Sequence, residues 1–322
     1  MSFEKDLSKG ILRIQNSIRF HSRLDDTILS SALGKYIVET HYTTADENYY
    51  VYELLDSNVS FSQIFNSYDE FKKYCRRIPE YNVFLDKRTV IPLQSSLFVG
   101  QTGSGKTYCL YSLILQLLNK RFHPIFYFND PKDSSLAIIG SLLAPERTAT
   151  EAKDIISNLE AFVNEMRERK KELKDFLKHR LDADYSNFCM LPHIFIVDEF
   201  ASLAAELATK DKQTRDKVKA LLYEIVLQGR QAGFFIFLIM QQSNSSLIDT
   251  ALRENLPFKT VLGNSEKQTY VTAFGDGVKI VNRKFEKGEG VFMEPRIAPK
   301  PKLVQFPYLD FNIHEAIEGE QG

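Results

Sequence analysis

The sequence predicts an α/β fold with a mostly parallel sheet, preceded by a small N-terminal region of α+β type. From about residue 83 onward, short apolar runs of strand length alternate with segments of helical periodicity. Strands that alternate with helices pair in parallel through right-handed crossovers. The preceding region differs in composition, because it is rich in Tyr, Phe, Ser and Asp and its apolar stretches are short.

The individual elements follow from the spacing of apolar residues. The alternation in residues 49–55 (YYVYELL) predicts a strand. Residues 61–77 carry apolar side chains at helical spacing, which predicts an amphipathic helix. In the α/β part we predict strands at 97–99, 125–128, 194–197 and 234–240, and helices at 108–118, 150–181 and 216–227.

Composition limits the classes of function. The 322 residues include 41 basic and 42 acidic side chains, so contact with nucleic acid needs a local basic patch and not the net charge of −1. The three cysteines, Cys75, Cys109 and Cys189, fit no metal or redox spacing, and we interpret them as reduced thiols. We find no apolar run that could span a bilayer and no signal peptide. We therefore expect a cytoplasmic protein that only a partner could recruit to a membrane.

Residues 100–107 (GQTGSGKT) match the pattern G-x-x-x-x-G-K-[ST] in full, between a predicted strand and a predicted helix. Glycines let successive backbone N–H groups point at a phosphate, and the start of the helix adds its positive end. We expect Lys106 to reach the β- and γ-phosphates and the Thr107 hydroxyl to ligate Mg²⁺. The predicted nucleotide-binding residues are Gly100, Gln101, Thr102, Gly103, Ser104, Gly105, Lys106 and Thr107.

A second motif, residues 194–199 (IFIVDE), is a continuous apolar strand that ends in two acids. A buried parallel strand places these acids at the carboxyl edge of the sheet, where ligands bind in open α/β folds. We expect Asp198 to hold the Mg²⁺ and Glu199 to orient and polarise the attacking water. The second acid favours hydrolysis of the nucleotide over simple nucleotide sensing.

These motifs resemble the motor domain of the FtsK/SpoIIIE DNA translocases. Seven blocks agree with that family in order and approximate spacing over about residues 83–295. The ordered set is specific, whereas no single block is. The blocks are 97–107 (LFVGQTGSGKT), 130–132 (DPK), 162–173 (FVNEMRERKKEL), 197–203 (VDEFASL), 229–243 (GRQAGFFIFLIMQQS), 255–257 (NLP) with Lys259, and 288–293 (GEGVFM).

The resemblance implies a RecA-like P-loop NTPase fold of the FtsK/HerA superfamily. It also implies a hexameric ring that uses ATP and Mg²⁺ to translocate double-stranded DNA without sequence specificity. We accordingly divide the chain into an accessory α+β domain at residues 1–85, the motor domain at 86–310 and a C-terminal tail at 311–322.

The sequence also departs from the family. The long chromosome-segregation members have a transmembrane region before the motor and a winged-helix domain after it, and we find neither in this sequence. Gln242 and Ser243 replace the Arg-Pro that follows the family's Thr-Gln. We therefore expect a small FtsK-like protein of the plasmid or conjugative-element type, and not one for chromosome dimer resolution.

Two further catalytic candidates flank the predicted strand at residues 234–240. Gln241 ends that strand, where a polar group could contact the γ-phosphate or the attacking water, and the resemblance makes it the family's sensor glutamine. Arg230 lies in a polar turn before the strand, and in ring ATPases an arginine of one subunit stabilises transition-state charge in the next. Arg253 and Lys259 remain alternative candidates for this arginine-finger role.

Several basic segments are candidates for DNA contact. Residues 165–180 carry seven basic and four acidic side chains, a pattern equally typical of a solvated helix with i,i+4 ion pairs. Residues 210–212 and 215–219 form a polar segment that could face a pore, and residues 279–287 (KIVNRKFEK) form another basic run. A translocase needs such charges only for backbone phosphates.

Three functions fit these residues. The first is an ATP-driven DNA translocase, and the second is a coupling or packaging motor whose cargo is single-stranded DNA or a relaxase–DNA complex. The third is a nucleotide-binding scaffold that assembles on a replication or transfer complex without processive pumping. DNA-stimulated hydrolysis that is lost in Lys106→Ala and Glu199→Gln separates the first two from the third. A P-loop kinase is disfavoured, because we identify no lid or acceptor site.

Overall fold

The computed structural model describes residues 1–16, 29, 32–241, 249–275, 277–278, 280 and 283–320. The strands of this part are β1 (Ser2–Phe3), β2 (Lys9–Gln15), β3 (Tyr36–Thr43), β4 (Tyr49–Asp56), β5 (Ile64–Phe65), β6 (Asn82–Asp86), β7 (Thr89–Pro92), β8 (Ser96–Gly100), β9 (Ile125–Asn129), β10 (Thr148–Ala149), β11 (His193–Val197), β12 (Phe234–Met240), β13 (Phe258–Leu262), β14 (Glu289–Glu294), β15 (Ala298–Gln305) and β16 (Tyr308–Leu309). Its α-helices are α1 (Tyr68–Cys75), α2 (Lys106–Leu118), α3 (Ser135–Leu143), α4 (Ala152–Leu177), α5 (Phe200–Ala208), α6 (Lys212–Ala232), α7 (Thr250–Glu254), α8 (Lys267–Phe274) and α9 (Ile313–Glu318).

The largest sheet contains eight strands in the order β10-β9-β11-β12-β8-β13-β14-β15. The first six strands in this order are parallel, and β14 and β15 continue the sheet in antiparallel pairing. The carboxyl ends of β8, β11 and β12 therefore lie at one edge. This topology confirms the predicted mostly parallel sheet, and its four predicted strands are present with ends that differ by at most one residue.

Helices cover both faces of this sheet, which explains why its central strands are apolar throughout. All five residues of β11 and all seven of β12 are buried. Alternate residues of β11 face opposite sides: Phe195 and Val197 pack with α4 and α6, whereas Ile194 and Ile196 pack with α2. These three helices are the ones that the sequence predicts, with ends that differ by up to five residues.

The N-terminal chain forms a separate four-stranded antiparallel sheet in the order β1-β2-β4-β3. Strand β4 confirms the strand predicted at residues 49–55. Contacts of charged side chains join this sheet to the rest of the chain. Arg88 Nη1 donates to Glu39 Oε1 at 3.0 Å, and Lys302 Nζ donates to Glu53 Oε2 at 2.8 Å. The N-terminal sheet is thus docked by charge-assisted hydrogen bonds.

The amphipathic helix predicted for residues 61–77 is wrong in its first half. Helix α1 begins only after Ser67, whose hydroxyl caps it by accepting a backbone N–H of the first turn at 3.3 Å. The residues before Ser67 are extended, because β5 pairs in parallel with β16 near the end of the chain. Phe71 and Cys75 of α1 pack in the same core as α2. Packing therefore crosses the domain boundary predicted at residue 85, which itself stays a prediction.

The C-terminal residues are packed against the main core. Ala316 and Ile317 of α9 are buried in the cluster that includes α2.

All three cysteines are free thiols, with Cys75 and Cys109 buried and Cys189 exposed. In the part of the chain that the structure describes, no helix combines the length and the apolar character needed to cross a bilayer.

Phe162 anchors α4 to the sheet. Its side chain is fully buried, and its ring centre lies 5.1–5.3 Å from those of Tyr127, Phe195 and Phe234. Phe162→Ala leaves a cavity, so we expect the free energy of unfolding to fall by about 3–5 kcal/mol, measured by urea denaturation. Phe176→Ala, on the same helix but 45% exposed, is the matched control. An equal loss in both variants contradicts the prediction.

Candidate nucleotide-binding site

The phosphate-loop motif lies between the carboxyl end of β8 and the first turn of α2. Strand β8 ends at Gly100 and α2 begins at Lys106. Gly105 caps the helix in a left-handed conformation with φ of 101°. A Cβ at this position would lie 2.7 Å from the backbone nitrogen of Gly288, so only glycine fits. The backbone N–H groups of the first helical turn have no partner within the helix and lie at this loop. They favour the binding of an anion there.

A turn before β14 supports the phosphate loop. The backbone N–H of Gly288 donates to the Ser104 carbonyl at 2.9 Å, and the Gly288 carbonyl accepts from the N–H of Phe306 at 2.9 Å. The Ser104 hydroxyl is buried and has no hydrogen-bond partner among the described residues. A buried hydroxyl without a partner costs free energy, and a phosphate oxygen in the loop would supply one. The loop therefore fits a nucleotide phosphate.

The Lys106 ammonium lies over the loop. Its Nζ donates to the carbonyl of Gln101 at 3.0 Å and also to that of Gly100. Burial lowers the pKa of Lys106, and the carboxylates of Glu199 and Asp198 oppose this effect. Neutral carbonyls compensate the charge of a half-buried ammonium only in part, so an anionic phosphate is the better partner.

The two acids of the second motif follow β11 directly. The backbone N–H of Asp198 donates to the Asn129 carbonyl at 3.0 Å, and Asp198 Oδ1 accepts from the N–H of Glu199 at 2.9 Å. Glu199 adopts a left-handed conformation with φ of 50°, which is uncommon for a residue other than glycine. Burial and the neighbouring Asp130 carboxylate raise the pKa of Asp198. A bound divalent cation would favour the ionised form, so a carboxylate here fits Mg²⁺.

The sheet order brings several predicted site residues to one edge. Strand β12 lies between β11 and β8, so Gln241, Asp198 and Gly100 are at neighbouring strand ends. Neighbouring strands are about 4.8 Å apart, so these three backbone positions span roughly 10 Å. Thr107 belongs to the first turn of α2, next to the loop, and its side chain is exposed. The chemical roles assigned to Gln241 and Thr107 stay predictions.

Two residues beside Glu199 are absent from the predicted site. Asp130 is buried and accepts hydrogen bonds from the N–H and the hydroxyl of Ser134, at 2.8 and 2.7 Å, so it orders the turn before α3. Lys132 extends its ammonium to 3.3 Å from Glu199 Oε2. Residues 130–132 (DPK) could have indicated both residues from the sequence. They follow β9, and β9 is the direct neighbour of β11, the strand that precedes Glu199.

Arg230 lies at the opposite edge of the sheet from the phosphate loop. It belongs to the last turn of α6, just before β12 begins, and its side chain is exposed. Strand β12 has seven residues, which span roughly 20 Å, so Arg230 cannot reach the loop of its own chain. The alternative candidates Arg253 and Lys259 lie at this same far edge, where β13 begins.

Many of the basic residues considered for DNA contact are paired within the chain. In the described part of these segments, the cations mainly pair with neighbouring acids. This pairing favours a solvent-exposed helix over a DNA contact for residues 165–180. Lys279 lies outside the described residues, as do Gln242 and Ser243. The ion pairs are Arg167–Glu224, Lys171–Glu168, Lys178–Asp175, Arg180–Asp182, Lys210–Glu206, Lys217–Glu160, Lys219–Asp249, Arg283–Glu289 and Lys284–Glu286.

The sequence has recognisable relatives. A model of the FtsK/SpoIIIE family matches residues 78–190. The chain is 27% identical over 198 residues to the Ftsk domain-containing protein YdcQ of Bacillus subtilis (strain 168). This alignment covers 62% of this chain and 40% of that protein. It is 28% identical over 234 residues to the DNA translocase SpoIIIE of the same organism. This second alignment covers 66% of this chain and 28% of that protein. This chain therefore spans less than half the length of these relatives.

Solved structures share the fold. The pCW3 conjugation coupling protein TcpA, in its monomer form with ATPgS, matches with a TM-score of 0.62 at 16% identity, over 98% of this chain and 91% of that one. EssC (ATPases 2 and 3) from Geobacillus thermodenitrificans matches with a TM-score of 0.55 at 16% identity, over 73% of this chain and 44% of that one. At such identities the likeness concerns the fold alone. The family match over residues 78–190 and the curated relatives show that the chain contains a motor domain of the FtsK/SpoIIIE type.

Proposed function

We propose that this chain is an ATPase that uses hydrolysis to move DNA. The observation that carries the proposal is the position of the phosphate loop beside Asp198 and Glu199, at the carboxyl edge of one parallel sheet. This arrangement has a phosphate cradle, a metal-binding carboxylate and a second acid for water, the parts that phosphoryl transfer to water requires. Relatives that share the motor domain are named DNA translocases, which supports DNA as the partner.

Each site residue has a role in this proposal. The loop from Gly100 to Thr107 binds the phosphates, and Lys106 neutralises their charge. Thr107 and Asp198 would hold Mg²⁺, which would supply positive charge to offset the negative charge that develops during phosphoryl transfer. Glu199 orients and polarises the attacking water. Gln241 contacts the γ-phosphate or that water, a role supported by its position between the β8 and β11 strand ends.

We further propose that the active form is a hexameric ring on double-stranded DNA. The distance of Arg230 from the loop of its own chain supports a role at the loop of a neighbouring subunit. Each site would then be complete only when two subunits meet in a closed, head-to-tail ring. Rearrangement of these interfaces during hydrolysis would shift pore-facing segments along the DNA backbone.

The biological setting that we propose is plasmid or conjugative DNA transfer or maintenance. The fold match to a conjugation coupling protein over 98% of this chain motivates this setting. Relaxase or other transfer proteins are then the expected partners, and one of them would recruit the motor to a membrane. The alternative is a nucleotide-binding scaffold that assembles on such a complex without processive translocation.

ATP turnover with and without linear duplex DNA tests the proposal. We expect duplex DNA to stimulate the wild-type chain. We expect Lys106→Ala to lower the rate by about 10²–10³, because it removes a cation that stabilises the transferring phosphoryl group. Lys73→Ala, an exposed lysine of α1 outside the site and the candidate DNA-contact segments, is the matched control and keeps the wild-type rate. A wild-type chain that hydrolyses no ATP with duplex or single-stranded DNA is a scaffold instead.

Two further measurements test the ring and separate a duplex DNA translocase from a coupling motor. The mass of the assembly in the presence of ATPgS tests the ring, and a hexamer is the expected result. Displacement of a triplex-forming strand from duplex DNA tests translocation, with single-stranded substrates for comparison. Displacement on duplex DNA supports the translocase, whereas activity restricted to single strands supports the coupling motor.

A further inference from the structure

An ion pair links the residue proposed to activate water to a neighbouring strand end. Lys132 Nζ lies 3.3 Å from Glu199 Oε2. Lys132 follows β9 and Glu199 follows β11, its direct neighbour in the sheet. The Glu199 side chain is only 10% exposed, whereas that of Lys132 is 46% exposed. The pair therefore joins a confined carboxylate to an ammonium that solvent and ligands can reach.

The backbone of Glu199 is itself in a sparsely populated conformation. Its φ and ψ are 50° and 57°, and such a conformation persists only where surrounding contacts hold it. Its N–H donates to Asp198 Oδ1 at 2.9 Å, and its carboxylate is held by Lys132. Helix α5 begins at the next residue, so Glu199 is also the residue that precedes the first turn of that helix. The side-chain position of Glu199 is thus one that other contacts must maintain.

The ammonium of Lys132 competes with water for the carboxylate. A carboxylate oxygen that is engaged by a cation at 3.3 Å has fewer free acceptor positions for a water molecule. Lys132 also lies close to the phosphate loop. Burial lowers the pKa of Lys106, and the positive charge of Lys132 adds to this effect. A triphosphate bound at the loop would bring several negative charges near Lys132, which offer Lys132 another partner.

We propose that Lys132 is a positioning residue that restrains Glu199 and so limits hydrolysis in the absence of DNA. In the free chain the ion pair holds the carboxylate away from a productive position. Binding of nucleotide and DNA separates Lys132 from Glu199, and the freed carboxylate polarises water. This inference rests on the proposed function and adds to it a built-in limit on futile turnover.

Rates of hydrolysis with and without duplex DNA test the restraint. In Lys132→Ala the DNA-free rate rises roughly three- to ten-fold, the effect expected from losing one partly exposed ion pair. The DNA-stimulated rate stays within about two-fold of wild type, so the stimulation ratio falls. Lys132→Arg keeps a cation and the wild-type ratio, and Lys153→Ala is the control at an exposed lysine of α4. An unchanged ratio in Lys132→Ala, or an equal fall of both rates, overturns the proposal.

Amine labelling read by mass spectrometry tests the contact without turnover. In the nucleotide-free chain, Glu199→Gln removes the negative charge, and labelling of Lys132 rises by about two-fold or more, while that of Lys153 does not change. Equal labelling of Lys132 in wild type and Glu199→Gln refutes the ion pair. A wild-type chain that never hydrolyses ATP refutes the proposed function instead, so the two failures are distinct.

Discussion

Arg230→Ala lowers DNA-stimulated ATP turnover by about 10³–10⁵, the largest loss that we expect from a single substitution in this chain. In the proposed ring the guanidinium would stabilise charge on the transferring phosphoryl group, and without it that charge would be left mainly to Lys106. Arg230 precedes β12 and the phosphate loop follows β8, so the two lie at opposite edges of the sheet. The effect must therefore act between subunits, and turnover per assembled ring is the quantity to measure.

The alternative candidates at the same edge provide the matched control. Arg253 Nη2 donates to Thr250 Oγ1 at 2.9 Å, a contact within its own short helix. Lys259 carries a single ammonium, which cannot make the bidentate contact with phosphate oxygens that a guanidinium makes. We expect Arg253→Ala and Lys259→Ala to retain most of the turnover. A large loss in Arg253→Ala, together with a small loss in Arg230→Ala, would transfer the finger role to Arg253.

Mixing two inactive variants tests whether the arginine acts between subunits. Arg230→Ala subunits keep an intact phosphate loop and both acids, whereas Glu199→Gln subunits keep the arginine. Where a subunit of the first kind meets one of the second kind, the complete set of groups forms at one interface. We therefore expect the mixture to recover turnover that neither variant shows alone. No recovery from a mixture that assembles into rings contradicts a role between subunits.

The sheet edge that carries the candidate nucleotide site could be predicted because its parts are local in sequence. The loop of residues 100–107 and the acids Asp198 and Glu199 each follow an apolar strand, and parallel pairing places the ends of such strands together. Gln241 could be placed by the same reasoning, since it directly follows β12. Periodicity, strand length and one topological rule are thus enough to assemble this edge of the sheet.

Features that depend on distant segments could not be predicted. The first half of the helix predicted at residues 61–77 is extended because β5 pairs with β16, and no local pattern reveals a partner so far along the chain. The ion pair of Lys132 with Glu199 depends on two side chains that meet across neighbouring strands. The basic residues of α4 illustrate a third case, because charge counts do not show which cations are already paired.

Glu199→Gln lowers turnover by about 10²–10⁴ while the affinity for nucleotide stays near that of the wild type. The amide has nearly the size of the carboxylate but cannot take a proton from water. The fold around it depends on the burial of its neighbours in β11 and on the backbone bond to Asp198, which the substitution leaves in place. The variant should therefore bind ATP and accumulate in the nucleotide-bound form, whereas Lys106→Ala loses phosphate contacts as well.

The dissociation constant for ATPgS and the turnover number, measured on the same preparation, separate these roles. Glu206→Gln is the matched control, since Glu206 lies on α5 with a half-exposed side chain 3.8 Å from Lys210, and we expect it to keep both values. A Glu199→Gln variant that loses affinity in proportion to turnover would make Glu199 a binding residue. Retained turnover would assign the polarisation of water to another group at the same edge, of which Asp198 and Gln241 are the candidates on the neighbouring strand ends. The proposed chemistry thus depends on the charge of one confined carboxylate.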